Sequence, residues 1–251
     1  MEEVTTPLYL NWSFWAVIVA AIAVILSQLP PVLLWFKKAK LEIELYSKIS
    51  ITHKVGNPNL QLHLIINNIG GRKIRIKNIT ASIERDGNLV ATLPAQNYLQ
   101  NQNSQNTLLF TTFSLKPAEE WAHIINLLNY FNRGDENVYR RLEAEMKADY
   151  REKKTTLVEE PKNPIEIEDA LVQPFHDFFN GHFIWNSGEY QLTVNVTTDK
   201  EKANISKTFR FTVFESHTEQ LKEITEHFKY GGGIWWDPNI PVSAIFEIKE
   251  A

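Results

Sequence analysis

The sequence predicts a mainly β protein with an N-terminal transmembrane helix. Three observations carry this expectation. Positions 12–36 form an uncharged, largely apolar run. Short segments early and late in the chain alternate apolar and polar residues between turn signals, as half-buried strands do. Between the two strand groups lies a stretch with helical periodicity and dense charge, read as an insertion.

The N-terminal run is unbroken from Phe14 to Leu26 and resumes at Val32 after Ser27 and Gln28. From Trp12 to Phe36 a continuous helix would measure about 37 Å at ~1.5 Å per residue, enough for a hydrocarbon core of ~30 Å. Trp12 and Trp15 stand at one end and Trp35 at the other, where interfacial aromatic residues belong. Lys37, Lys38 and Lys40 follow, placed to reach lipid headgroups. Pro30 and Pro31 predict a kink or an end, since proline lacks a helix donor and clashes with the preceding turn. The tail, residues 1–11, carries Glu2 and Glu3 and no basic residue, and no small-x-small cleavage site follows the run, so it reads as an anchor and not as a cleaved signal peptide. The lysines downstream place the N-terminus outside and the large domain in the cytoplasm. The glycosylation-type triplets at Asn11, Asn78, Asn195 and Asn204 are read as accidents of a chain rich in Asn and Thr.

Residues 41–251 read as one water-soluble domain. Leu41, Ile43, Leu45, Ile49 and Ile51 alternate along a first strand. After Gly56-Asn57-Pro58-Asn59 a second strand covers Leu60 to Ile66, and Asn67 to Gly71 turns again. Ile74 and Ile76, then Ile79, Ala81 and Ile83, slip phase in a way that predicts a bulge. Asp86-Gly87-Asn88 predicts a tight hairpin with a strand returning over Leu89 to Leu93. The pattern recurs at Tyr190, Leu192, Val194 and Val196, then at Ile205, Phe209, Phe211 and Val213, with a last strand in 241–248. The stretch from Leu62 to Ile83 resembles immunoglobulin-like sandwiches in its strand-and-turn grammar, which implies an antiparallel β-sandwich and no particular activity.

Residues 96–185 are expected to form the helical elaboration. Pro117-Ala-Glu-Glu suits a helix start, with Trp121, Ile124, Ile125, Leu128 and Phe131 as its apolar face and Gly134 as its end. A second, charged helix spans 136–154 with a stripe of Val138, Leu142, Met146 and Tyr150. A third covers 166–173, and a further helix, 218–229, precedes the last strand.

The whole chain has 251 residues, 43% hydrophobic and 22% charged, with formal net charge −4. That composition suits a globular domain and gives a nucleic-acid partner no electrostatic support. The absence of cysteine excludes disulfides and thiolate chemistry.

Among candidate sites, His176, Asp177 and His182 fall beside Phe175, Phe178, Phe179 and Phe183. Their spacing matches no zinc helix and reads as an aromatic corner. Gly231-Gly232-Gly233 lacks the lysine of a phosphate loop and reads as a flexible helix exit. It sets Trp235, Trp236 and Asp237 beside a hinge, a candidate partner-binding patch. Arg140 and Arg141 lie on a helix of mixed charge, which is a solvated face by default and a partner surface in the sharper reading. No nucleophile elbow, nucleotide loop or zinc-helix motif occurs, and no cofactor or metal is expected. The expectation is a non-enzymatic single-pass protein that binds another membrane or cytoplasmic protein as a scaffold, assembly or sensor subunit. The alternatives are an outward-facing module for glycan, lipid or surface protein, and a membrane-anchored hydrolase using His176, Asp177, His182, Glu166 or Glu168.

Overall fold

The computed structural model describes residues 12–28, 38–100, 106–156, 164–240 and 242–251. The first element, α1, is Trp12–Gln28. Its 17 residues rise about 25 Å at ~1.5 Å each. No helix among the described residues is long and apolar enough to cross a membrane. Even so, α1 is apolar on all sides, and Trp12, Trp15, Val17, Val19, Ile22, Val24 and Ile25 are all exposed. Trp35, Lys37 and the proline pair lie outside the described residues.

The domain is built on antiparallel strands: β1 (Leu41–Lys54), β2 (Asn57–Asn68), β3 (Ile74–Arg85), β4 (Asn88–Leu99), β5 (Thr107–Leu109), β6 (Phe113–Leu115), β7 (Glu120–Leu128), β8 (Gly188–Thr198), β9 (Ile205–Val213), β10 (Ala244–Glu247) and β11 (Lys249–Glu250). They follow the order β10-β1-β2-β7-β4-β3-β8-β9-β11. The two ends of that order are one piece of chain. Residues 244–247 pair with β1 and residues 249–250 with β9, so the strands run round into a nearly closed barrel. The alternation read from the sequence fills its interior: Ile43, Ile51, Leu64, Ile66, Ile79, Ile83, Leu192 and Val194 are buried.

The expected sandwich is thereby refined. The chain is mainly antiparallel β with helices, but strands that serve two neighbours join the faces. β4 pairs with β3 up to Pro94 and with β7 from Ala95 onward. Proline has no ladder donor, which suits the point where one partner is exchanged for another. The opening left where β4 departs from β3 is filled by β5 on β4 and β6 on β3. The phase slip in β3 is a register shift between Ile76 and Asn78, as the pattern required.

Among the described residues three further helices interrupt the strands: α2 (Arg133–Thr156) and α3 (Asp169–His182) between β7 and β8, and α4 (Glu215–Lys222) after β9, the last continued by a 3-10 segment, Glu223–Tyr230. The strand directions place all of them at one pole. β7 and β9 run up into α2 and α4, and the β1–β2 and β3–β4 turns lie at the same end. The opposite pole carries residues 38–40, the β2–β3 and β6–β7 connections and the β8–β9 turn.

Several expected helix boundaries are corrected. Residues 120–128 form β7, flanked by β2 and β4, and not a helix. Trp121, Ile125 and Leu127 enter the core, while Ala118 with φ +63° makes the preceding segment a turn. Gly134 does not end a helix. It lies in the first turn of α2, because the Asn132 carboxamide oxygen accepts the N–H groups of Gly134 (2.8 Å) and Asp135 (3.0 Å) as an N-cap. The buried stripe of α2 is Tyr139, Leu142 and Met146; Val138 is exposed. The third helix runs over 169–182, not 166–173, and continues through Pro174. Among the described residues helices therefore occupy 133–156 and 169–182 of the 96–185 stretch, and the end of β4 with β5, β6 and β7 precedes them.

Candidate functional site

The helical pole is held to the barrel through the β1–β2 hairpin. Continuing the inward face of β1 past Ile49 and Ile51 brings His53 into the interior, 8% exposed. Its Nε2 lies 2.7 Å from the Leu221 carbonyl oxygen and so donates, while Nδ1 accepts the Gly56 N–H at 3.2 Å. These partners define a neutral imidazole, and burial lowers its pKa from 6.5 against the opposing pull of the Leu221 carbonyl. Phe179 and Phe183 meet its ring edge-on. Gly56 has φ +86° and lies directly under the Phe179 carbonyl of α3.

Over this hairpin α2 places Tyr139, whose hydroxyl donates to the Ile234 carbonyl at 2.8 Å. Burial, then the nearby carboxylates of Glu143 and Glu136, push the phenol well above its usual range. Beside it opens a cleft of about 350 Å³ that includes Lys54, Asn57, Tyr130, Glu136, Arg140 and Glu143 in its lining. Lys54 Nζ sits 5.6 Å from the centre of the Tyr139 ring, and Tyr130 is 69% exposed at the rim. In this cleft Lys54 lies against an aromatic face, while Glu136 is paired with Arg140 and Glu143 with Lys147, each at 2.6 Å.

The expected partner-binding residues surround this pole. Trp236 is exposed and donates its indole N–H to the Tyr230 carbonyl at 2.8 Å; Asp237 is exposed beside it. Trp235 is half-buried. It covers Gly231, meets Tyr150 edge-on, and has Lys147 Nζ 5.6 Å from its ring centre. The expected hinge is a tied turn: Gly231 donates to Phe228, Gly232 to His227 and Gly233 to Trp236. Arg140 and Arg141 are exposed and paired one helical turn away, with Glu136 (2.6 Å) and Glu145 (3.2 Å), the geometry of a solvated face.

The candidates for hydrolysis are not brought together. His182 Nε2 faces Asp135 at 3.3 Å, while Asp177 accepts from Gln173. His176 packs on the Phe228 ring. Glu166 accepts from Lys229 and Tyr230, and those bonds lower its pKa. Glu168 contributes its backbone N–H to Asp149. Among the described residues no group of His, Asp and Glu is placed to hold a metal ion.

The membrane-interface candidates divide. Trp12 and Trp15 are exposed on α1, and Lys38 and Lys40 are exposed at the pole opposite the helices. Two of the triplets are structural. Asn204 Oδ1 accepts the Thr198 N–H at 2.8 Å, and Asn195 is half-buried and bonded to Ser206. Sequence reasoning missed His53, Lys54 and Tyr130. The period-2 run Ile49, Ile51, His53 already pointed the histidine inward; nothing local marked the other two as cleft residues.

No protein-family model and no curated protein matches this chain. A solved structure described as the crystal structure of a protein from Archaeoglobus fulgidus aligns with 70% of this chain and 93% of its own length, at 8% identity and a TM-score of 0.28.

Proposed function

We propose that this chain is a single-pass membrane protein, anchored through residues 12–36, whose barrel presents its helical pole to another protein as a scaffold, assembly or sensor subunit. One observation carries the anchoring: α1 shows large apolar side chains to every side with none of the polar face that a surface helix needs. The 17 described residues fall short of a crossing by themselves; in the sequence the uncharged run continues to Phe36. The lysines after the anchor favour a cytoplasmic domain. The binding face we assign to Trp236, Asp237 and the cleft rim at Tyr130 and Arg140. Binding is favoured over hydrolysis because His176, Asp177, His182 and Glu166 are each engaged with a different neighbour.

The chain lacks cysteine, so a single introduced thiol reports cleanly. Asn88→Cys in the exposed β3–β4 turn, in the full chain, is tested with a membrane-impermeant maleimide on intact and permeabilised cells, alongside alkaline extraction of the membranes. Retention in the membrane pellet with labelling only after permeabilisation is the expected result. Labelling of intact cells reverses the orientation and favours the outward-facing module; extraction into the alkaline supernatant rejects the anchor. A photoreactive side chain at position 236 is expected to cross-link a protein at that pole, and adducts no different from those at position 88 would reject the assigned face.

A further inference from the structure

The pole opposite the helices carries a cationic face that the sequence scatters over separate segments. Lys38 and Lys40 lie where the chain enters β1, Arg72 and Lys73 in the β2–β3 connection, Lys116 in the β6–β7 turn and Lys202 in the β8–β9 turn, all exposed. Lys38, Lys40, Lys73, Lys116 and Lys202 form no ion pair among the described residues. Acids share the pole, but two of them are turned to the backbone. Glu119 accepts the Lys116 N–H at 2.6 Å, and Asp199 accepts the Arg75 N–H at 2.8 Å. Both remain charged, and Glu42, Glu120 and Glu201 lie at this end too, so against Lys38, Lys40, Arg72, Lys73, Lys116, Lys200 and Lys202 the pole keeps a small cationic excess in a chain whose total charge is −4. Ile69, 48% exposed, stands in the same connection as Arg72 and Lys73.

The pole is also one block. Gly70 donates to the Lys40 carbonyl at 3.0 Å and Gly71 to the Lys38 carbonyl at 3.1 Å, so the entering chain is fastened to the β2–β3 connection. Buried Asn68 ties in the rest, donating to the Arg72 (2.9 Å) and Leu115 (3.0 Å) carbonyls and accepting from Gly70 (3.1 Å). From Gln28 to Lys38 the chain spans at most about 35 Å. A 12-residue strand such as β2 is itself about 40 Å long. With α1 inserted, this pole is therefore the one held near the bilayer, and the helical pole is held away from it.

We infer that this pole seats on anionic lipid headgroups, with Lys38, Lys40, Lys73 and Lys116 as the electrostatic contact and Ile69 entering the interface. The inference rests on the anchoring proposed above. Each lysine at an anionic surface is worth roughly a fivefold change in the seated-to-free ratio. Neutralising Lys73 and Lys116 together should then lower that ratio about 25-fold.

The test uses the full chain in vesicles of phosphatidylcholine alone or with phosphatidylserine. An environment-sensitive fluorophore is placed at Ile69→Cys or, as the distant control, at Asn88→Cys, and a headgroup spin-labelled lipid is the quencher. Flotation on both vesicle types is expected, with the probe at 69 quenched strongly only when phosphatidylserine is present. The quenching should be lost in high salt and in the Lys73→Gln, Lys116→Gln variant, and the probe at 88 should stay unquenched throughout. Flotation with lipid-independent quenching at 69 overturns the seating and leaves the anchor standing. Flotation on phosphatidylserine vesicles alone, abolished by the double variant, rejects the anchor and retains the seating. Failure to float on either overturns both.

Discussion

The contact between the β1–β2 hairpin and α3 yields a sharp prediction, because two hairpin glycines share a left-handed backbone and differ in what is packed over them. Gly56 and Gly87 both have left-handed backbones, with φ of +86° and +80°. An alanine Cβ at 87 meets nothing within 4 Å, whereas at 56 it would run into the Phe179 carbonyl oxygen and lie 3.2 Å from His182 Cβ. The left-handed conformation costs an alanine ~1 kcal/mol at either site. Forcing α3 off the hairpin adds the overpacking cost of a filled core, ~1–3 kcal/mol. Gly87→Ala should therefore lose about 1 kcal/mol, and Gly56→Ala about 2–4 kcal/mol, against a domain stability of order 5–15 kcal/mol. Urea unfolding followed by tryptophan fluorescence reads both. With m of roughly 2 kcal/mol per molar, the midpoint should fall by about 0.5 M for the first and by at least 1 M for the second. Equal shifts for the two variants would refute the pressing of the hairpin on α3, and with it the account of how the helical pole is fixed to the barrel.

Further perturbations follow from the same region. His53 is buried neutral with a lowered pKa, so the unfolded chain binds its proton first; its contribution is complete above the unfolded value of 6.5 and is lost as pH falls from there through the folded value. Urea midpoints taken between pH 7.5 and 5 should fall less for His53→Gln than for the parent, and parallel profiles would contradict this. Tyr139→Phe leaves the buried Ile234 carbonyl without its donor and should cost ~1–2 kcal/mol by the same assay. Arg140→Ala and Arg141→Ala remove exposed pairs and should each stay within ~0.5 kcal/mol while remaining available to weaken partner binding; a larger loss would show that these arginines do structural work.

What the sequence disclosed and what it hid have physical reasons. β8 and β9 were legible because one face of each is buried and the other wet, so period 2 is written plainly in Tyr190, Leu192, Val194 and in Phe209, Phe211, Val213. β7 was not. Lying between two strands, it carries apolar residues on its outer face too, and Trp121, Ile124, Ile125 and Leu128 happen to satisfy a helical spacing. The boundary of α3 was misread because Pro174 looks like a terminator; it stands past the free N–H groups of the first turn and costs a helix bond, yet the helix runs on to His182 with Phe175 and Phe179 buried in the core. The exposed tryptophan and the paired arginines of the candidate site were visible as types. The cleft was not, since Lys54, Tyr130 and Tyr139 meet only through tertiary packing, and neither was the cationic pole.

The closure of the barrel sets a timing problem for the growing chain. Ile49 pairs with Phe246, and contacts between residues roughly 200 apart form slowly because a long loop must close first. Until residues 244–250 emerge, β1 and β9 both present an unpaired edge, the kind of edge that recruits strands from other molecules. A nascent chain halted before this segment would thus be a template for misassembly. Loss of a handful of residues there should be felt as poor yield and insolubility well before it is felt as altered binding.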